Sequence, residues 1–211
     1  MTVKLPIFPL QLVVFPGEQL NLHIFEERYR QLIQDAEQDG ITFCVPTVHE
    51  EGILPIATEV KLVEVVNRYP SGELDVRTRG ERIFFLEDYW KTLGSKLYPG
   101  GQCRLLDVET EEDPTVNAEL IDLTRSIYRE LDIDKVLPEA SAGFRTYDIG
   151  HYVGLTLPQE YELLTLRRAD ARQRYLLDHL RSIRPELQQS KKIQDRALMN
   201  GHFKELVPPE W

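Results

Sequence analysis

Cysteine, methionine and tryptophan are scarce in this chain, with two of each among 211 residues. Two cysteines cannot build an all-cysteine tetrahedral zinc site, which takes four thiolates. Cys44 and Cys103 each lie in an apolar, strand-like setting, Thr42-Phe43-Cys44-Val45 and Cys103-Arg104-Leu105-Leu106. That setting favours two small buried thiols in a reducing compartment over a structural disulfide. Long hydrophobic runs are missing too, and no stretch approaches the ~20 apolar residues of a membrane-spanning helix. At the N-terminus only Lys4 precedes an apolar run that prolines soon break, a pattern that argues against a cleaved signal peptide. The expected location is the cytoplasm, away from membranes.

Positive charge falls short as well. Twenty-five Lys and Arg stand against 35 Asp and Glu, a net charge of -10, and a polyanion such as nucleic acid is repelled by such a surface. The charge is uneven: residues 107–139 hold eleven acidic and three basic side chains, whereas 166–204 hold ten basic and four acidic. Two solvated faces, or two segments that neutralise each other by packing, account for this; a basic helical surface for an acidic partner is the alternative.

Signatures of catalysis are thin. No G-x-x-x-x-G-K-[ST] phosphate loop occurs; Gly94-Ser95-Lys96 lacks the upstream glycine that lets backbone amides cradle phosphates. Ser141, in Ala140-Ser141-Ala142-Gly143, lacks the strand–elbow–helix context of a hydrolase serine. Asp132 and Asp134 lack the glycine and twelfth-position glutamate of a calcium loop and read as a solvated helix-end turn. His151, three residues after Asp148, reads as one side of a structural hydrogen bond, since an acid–base pair needs a reacting group besides. Lys191-Lys192 reads as a solvated charge pair, and Glu26-Glu27 as favouring a helix N-terminus electrostatically. No cofactor and no metal are expected.

What is there is a strand-rich first half and a helical second half. Val60–Val66 and Leu74–Thr78, around Pro70-Ser71-Gly72, predict a β-hairpin; Arg82–Leu86 and Gln102–Glu109 predict further strands. A helix is expected from about Glu26 to Gln38, with Tyr29, Leu32, Ile33 and Ala36 at helical spacing and Gly40 ending it. Beyond residue 112, Asp113-Pro114 makes an N-cap with proline at the first helical position. Behind it Val116, Leu120, Leu123, Ile127 and Leu131 form one helical stripe. A short helix is expected over Thr146–Val153, and Thr156-Leu157-Pro158-Gln159 forms a capping box for another. A last helix carries Leu176, Leu180, Ile183 and Leu187, with Pro185 expected to kink or divide it.

Residues 1–33 carry the most specific pattern. Leu5-Pro6-Ile7-Phe8-Pro9-Leu10, Val14-Phe15-Pro16-Gly17 and Leu22-His23-Ile24-Phe25-Glu26-Glu27-Arg28-Tyr29 resemble the opening strand, turn and strand-to-helix passage of the Lon protease N-terminal substrate-binding domain. Thr58–Val66, Ser71-Gly72 and Gly80-Glu81-Arg82-Ile83 resemble its hairpin and next strand, and Leu163–Leu180 its helix pair. Ala57-Thr58 stands where the family commonly has Gly-Thr. The resemblance implies an α+β fold, a PUA-like β-barrel subdomain (1–112) followed by a helical bundle (113–201) and an extended tail (202–211). With no phosphate loop and no room for a protease domain in 211 residues, the expectation is a stand-alone form, without ATPase or protease domains.

By that resemblance the chain is a non-enzymatic module. It would bind unfolded or extended polypeptide through exposed hydrophobic segments and serve an ATP-dependent protease. A peptidase- or hydrolase-associated role, or RNA or DNA binding by a PUA-like fold, is the alternative. Aromatic residues at strand ends with an arginine nearby suit protein recognition, which makes Tyr69, Arg82, Tyr89, Trp90 and Tyr98 the candidate contacts. Phe8, Phe15 and Phe25 are assigned to the core.

Overall fold

A computed structural model describes residues 2–50, 52–139 and 143–202. Ser141 and all of the expected tail except His202 fall outside them. The first half contains β1 (Thr2–Pro6), β2 (Gln19–Ile24), α1 (Glu27–Asp39), β3 (Phe43–His49), β4 (Gly52–Arg68), β5 (Leu74–Trp90) and β6 (Gly100–Leu105). The second half contains α2 (Pro114–Glu130), a 3₁₀ helix (Thr146–Tyr152), α3 (Leu157–Thr165) and α4 (Ala169–His202). The α+β class expected from the sequence is the one observed.

The strands pair antiparallel in the order β1-β6-β5-β4-β3, with β2 on β5. The free side of β3 is met by the chain just after β1. Phe8 and Leu10 donate their amides to the Cys44 and Pro46 carbonyls (2.8 and 3.1 Å), and Val48 donates to Leu10 (2.7 Å). These bonds close the sheet on itself. Inside, Tyr29, Leu32 and Ile33 of α1 pack on Phe43, Val60 and Val76. Gly40 ends α1 in the left-handed conformation and returns its amide to Ala36. Cys44 and Cys103 are free, buried and share one small cluster with Ile7, Ala57 and Phe84. The hydrogen bond to Cys103, together with burial, pushes the Cys44 thiol up.

Two glycines fix how the chain crosses β5. Gly17, at φ +89°, and Glu18 lie opposite Gly80: Gly17 donates to the Gly80 carbonyl (2.8 Å) and Gly80 donates to Glu18 (2.9 Å). That is a bulge with glycine in its left-handed position. A Cβ on Gly80 would lie 2.3 Å from the Phe15 carbonyl, so no larger residue fits.

The two halves share a core. Val13, Phe15 and Ile83 from the barrel pack in one cluster with Leu120, Ile149, Leu163 and Leu176 from the helices. Phe15 lies against the Tyr147 and His151 rings (centroids 5.4 and 4.7 Å). Arg172, at the start of α4, is fully buried and pairs with buried Glu112 (3.0 Å). It also donates to the Glu109 and Leu166 carbonyls (2.6 and 3.1 Å). Asp113 and the Thr156–Gln159 box cap α2 and α3 as the sequence indicates.

Three local expectations are corrected. His151 does not bond Asp148; its ring nitrogens face Glu160 (2.7 Å) and Glu18 (3.1 Å), while Asp148 accepts the Arg145 amide. Of the kink or division expected at Pro185, division does not occur: α4 runs from Ala169 to His202 with Pro185 on its exposed side. Lys191 is not simply solvated, for it donates to the Glu130 carbonyl (2.7 Å) and pairs with Asp132.

Candidate functional site

The features suited to holding another molecule collect around the end of β2. Phe25 follows the last residue of that strand and is 62% exposed. Its assignment to the core is therefore wrong: Ile24 takes the inward position, and Phe25 occupies the joint before the N-cap Glu26 of α1. The ring stacks on His23 (6.4 Å), and His23 meets the edge of Tyr69 (5.9 Å).

Asp75, opposite His23 in β5, anchors this aromatic row. Its carboxylate accepts from Tyr69 Oη (2.6 Å) and Asn67 Nδ2 (3.0 Å) and faces His23 Nδ1 (2.7 Å). Those bonds, the Tyr69 hydroxyl first, hold the Asp75 carboxyl at about 2 and in turn raise the Tyr69 hydroxyl. Asp75 thus stays an acceptor under any ordinary condition and fixes the aromatic side chains around it.

Beside this row lies a cavity of about 340 Å³, lined by Phe8, Leu10, Leu22, Phe25 and Tyr89 and, on its polar side, by His23, Glu26 and Arg28. Phe8 stacks on Tyr29 at 4.0 Å beneath it. A larger cavity, about 490 Å³, opens between α2, α4 and the 3₁₀ helix, with Ile127, Leu131, Tyr152 and Leu187 in its wall. The smaller one alone adjoins exposed aromatic rings and an open strand edge.

The candidate contacts divide. Tyr69 (42% exposed) and Tyr89 (38%) belong to the β2 surface. Trp90 lies next to Tyr89 but donates to Asp88 (3.0 Å), with the Lys4 ammonium 5.5 Å above its ring. Arg82 is exposed but committed: its guanidinium grips buried Glu59 with two bonds, 2.7 and 3.0 Å. It also lines a cleft of about 200 Å³ at the junction of the halves. Tyr98 is not a surface residue. It is 2% exposed, and its hydroxyl bonds Asp35 of α1 (2.7 Å); burial and that carboxylate drive its own ionisation far up. Phe25 and His23 were missed because strand alternation ends at Ile24 and helical spacing begins only at Tyr29.

The model of one family, the ATP-dependent protease La (LON) substrate-binding domain, matches residues 4–194. The chain belongs to this family. A Lon N-terminal domain protein from Xanthomonas campestris has 25% identity and a TM-score of 0.62, over 83% of this chain and 98% of its own. The N-terminal domain of Lon protease from the Mycobacterium avium complex shares the fold at 18% identity, with a TM-score of 0.63 over 84% and 98%. Among curated proteins none matches. The Lon substrate-binding domain therefore takes in the barrel, the β2 surface and the helical half as far as residue 194 of α4. Among the described residues no helix is long and apolar enough to cross a membrane, and no group of three or more His, Cys, Asp or Glu is placed to hold a metal.

Proposed function

We propose that this chain is a non-catalytic recognition module that binds exposed hydrophobic segments of unfolded or extended polypeptides at the Phe25–Tyr89 cavity. It delivers them to an ATP-dependent protease in the cytoplasm. Membership of a substrate-binding family supports the class of ligand. The observation that carries the location is Phe25: a phenylalanine 62% exposed, propped on His23 at the mouth of a cavity whose wall combines Phe8, Leu10 and Leu22 with the charged Glu26 and Arg28. Exposing such a ring costs hydrophobic free energy in the unbound protein, about 1.5–3 kcal/mol if the whole side chain were to be buried, and binding recovers it. Tyr69 and Tyr89 extend the same surface with rigid rings that lose little entropy on contact. Arg82, which neutralises Glu59, serves the barrel itself.

Phe25→Ser tests this directly. Binding of a fluorescein-labelled, permanently unfolded protein, followed by anisotropy, is expected to weaken roughly 10–30-fold, the effect of losing one aromatic anchor. The melting temperature should stay unchanged because the ring is outside the core. Unchanged affinity would remove the cavity from the reading.

A further inference from the structure

β2 is bonded on one side only, to Leu74–Arg79 of β5. The Gly17–Gly80 bulge sets its phase. Glu18 shares a bonded position with Gly80, and bonded and non-bonded positions alternate along an antiparallel pair. Leu20, Leu22 and Ile24 therefore turn their main-chain groups toward β5. Gln19, Asn21 and His23 turn theirs to the open side, where no strand or loop among the described residues meets them.

Proteins blunt such edges with proline, charge, bulges or a covering element. The other edges of this barrel follow that rule. β1 carries Lys4 and Pro6. The part of β4 beyond β3 carries Lys61, Glu64 and Arg68, with Arg68 tied to Glu37 of α1. β3 is closed by the Phe8–Leu10 bonds. β2, Gln-Leu-Asn-Leu-His-Ile, has no proline and no Lys, Arg, Asp or Glu. Its edge is left ready to pair.

Side-chain geometry adds a second, independent observation. Leu22 and Ile24 line the 340 Å³ cavity from within the strand. A strand laid against β2 would alternate its side chains between the two faces of the sheet. One set would lie over Asn21 and His23, and the other would reach the cavity beside Phe25 and Tyr89.

We propose that β2 binds an extended client segment as an added strand. The main chain of Gln19, Asn21 and His23 supplies the hydrogen bonds, and the cavity accepts apolar side chains from alternate client positions. This rests on the reading of the cavity as the client site and adds the mode of binding. Main-chain pairing gives affinity that tolerates many sequences, with the pocket supplying selectivity. The expected client chemistry is an extended segment with large apolar residues two apart and no proline between them.

The experiment leaves the protein intact. A fluorescein-labelled heptapeptide, with phenylalanine at its second, fourth and sixth positions and serine or lysine between, is titrated against the native chain. The same peptide is then titrated with a single N-methyl group at each position in turn. Methylating every second amide, the ones that face β2, is expected to weaken binding about tenfold, and methylating the intervening amides to leave it unchanged. A flat response with Phe25→Ser still damaging overturns strand addition and keeps the cavity. Alternation that persists in Phe25→Ser with undiminished affinity keeps strand addition and overturns the cavity. Peptide-independent dimers that Asn21→Pro dissociates, with no alternation in the peptide series, would show that the edge serves a second copy of the chain and would overturn the proposal.

Discussion

His151 shows how one side chain can bind the two halves through charge. It sits on the 3₁₀ helix of the second half and reaches Glu18 before β2 and Glu160 in α3. Burial works against its charge, but the Glu160 and Glu18 carboxylates outweigh burial and raise the imidazole from 6.5 to about 9. A folded-state value above the unfolded one means stability gained below the unfolded value and lost as pH climbs through the folded value. The contribution should therefore be complete below about pH 6.5 and gone a little above pH 9, with a size of about 2 kcal/mol once partial solvent exposure is allowed for. Urea unfolding at pH 6, 7.5 and 9 should show this decline, and His151→Gln should flatten that portion. Parallel curves for the two proteins would refute the assignment. At this scale the sequence was read least well. Tyr98 stands before Pro99-Gly100 and looks like a turn residue, yet the chain there runs back over α1. Leu97 donates its amide to Gln31 (2.7 Å), Lys96 pairs with Asp35 (2.7 Å), and Tyr98 follows them inside. Such contacts join residues more than sixty positions apart, and no local pattern reports them.

At the scale of elements, caps and periodicity were legible because both are local. Gly40 closes α1, Asp113 accepts the Thr115 amide at 2.8 Å, and Tyr29, Leu32, Ile33 and Ala36 are the buried positions of α1. The hairpin of β4 and β5 was recognised as well, though each strand runs to seventeen residues. The pairing of β2 with β5, the closing bonds of the barrel and the seat of α4 were not legible, because each depends on partners brought together only by the fold. Arg172 is the clearest case. In the sequence it is one of many arginines in a basic stretch; in the structure it joins α4 to the connection that leaves β6. Replacing it with Met leaves Glu112 buried with only the Thr146 amide and hydroxyl (2.8 and 2.6 Å) for partners. Removing one member of a buried pair costs about 3–5 kcal/mol. Denaturant titration of Arg172→Met should show a loss of this order, and adding Glu112→Gln should recover part of it. A loss below about 1 kcal/mol would mean the charge is solvated there.

For the whole molecule, the change of composition near residue 112 suggests two units, while the packing argues for one cooperative structure. Phe15, between the barrel closure and β2, has no exposure at all, and what covers it includes Tyr147 and His151 from the second half. Gly150 lies so close that a Cβ there would come within 2.5 Å of the Phe15 ring. Ile56 in β4 donates its amide to the Tyr161 hydroxyl (2.9 Å), so the barrel wall is also tied to α3. Separating the halves would expose Val13, Phe15 and Ile83 together with Leu120, Leu163 and Leu176. At about 1.5–3 kcal/mol for each large apolar side chain, that loss is comparable with the whole of the ~5–15 kcal/mol by which a domain is stable. Both halves should therefore open only by global unfolding. In native-state hydrogen exchange, the slowest amides of the barrel (Val60, Val76) and of the helices (Leu163, Leu176) should share one free energy and one denaturant slope. A lower plateau for the helical amides would instead mark the second half as an independent folding unit. The same cooperativity protects the β2 edge: β5, which holds it, is anchored along its length by β4 and β6, so the edge can stay open to a partner without the sheet coming apart.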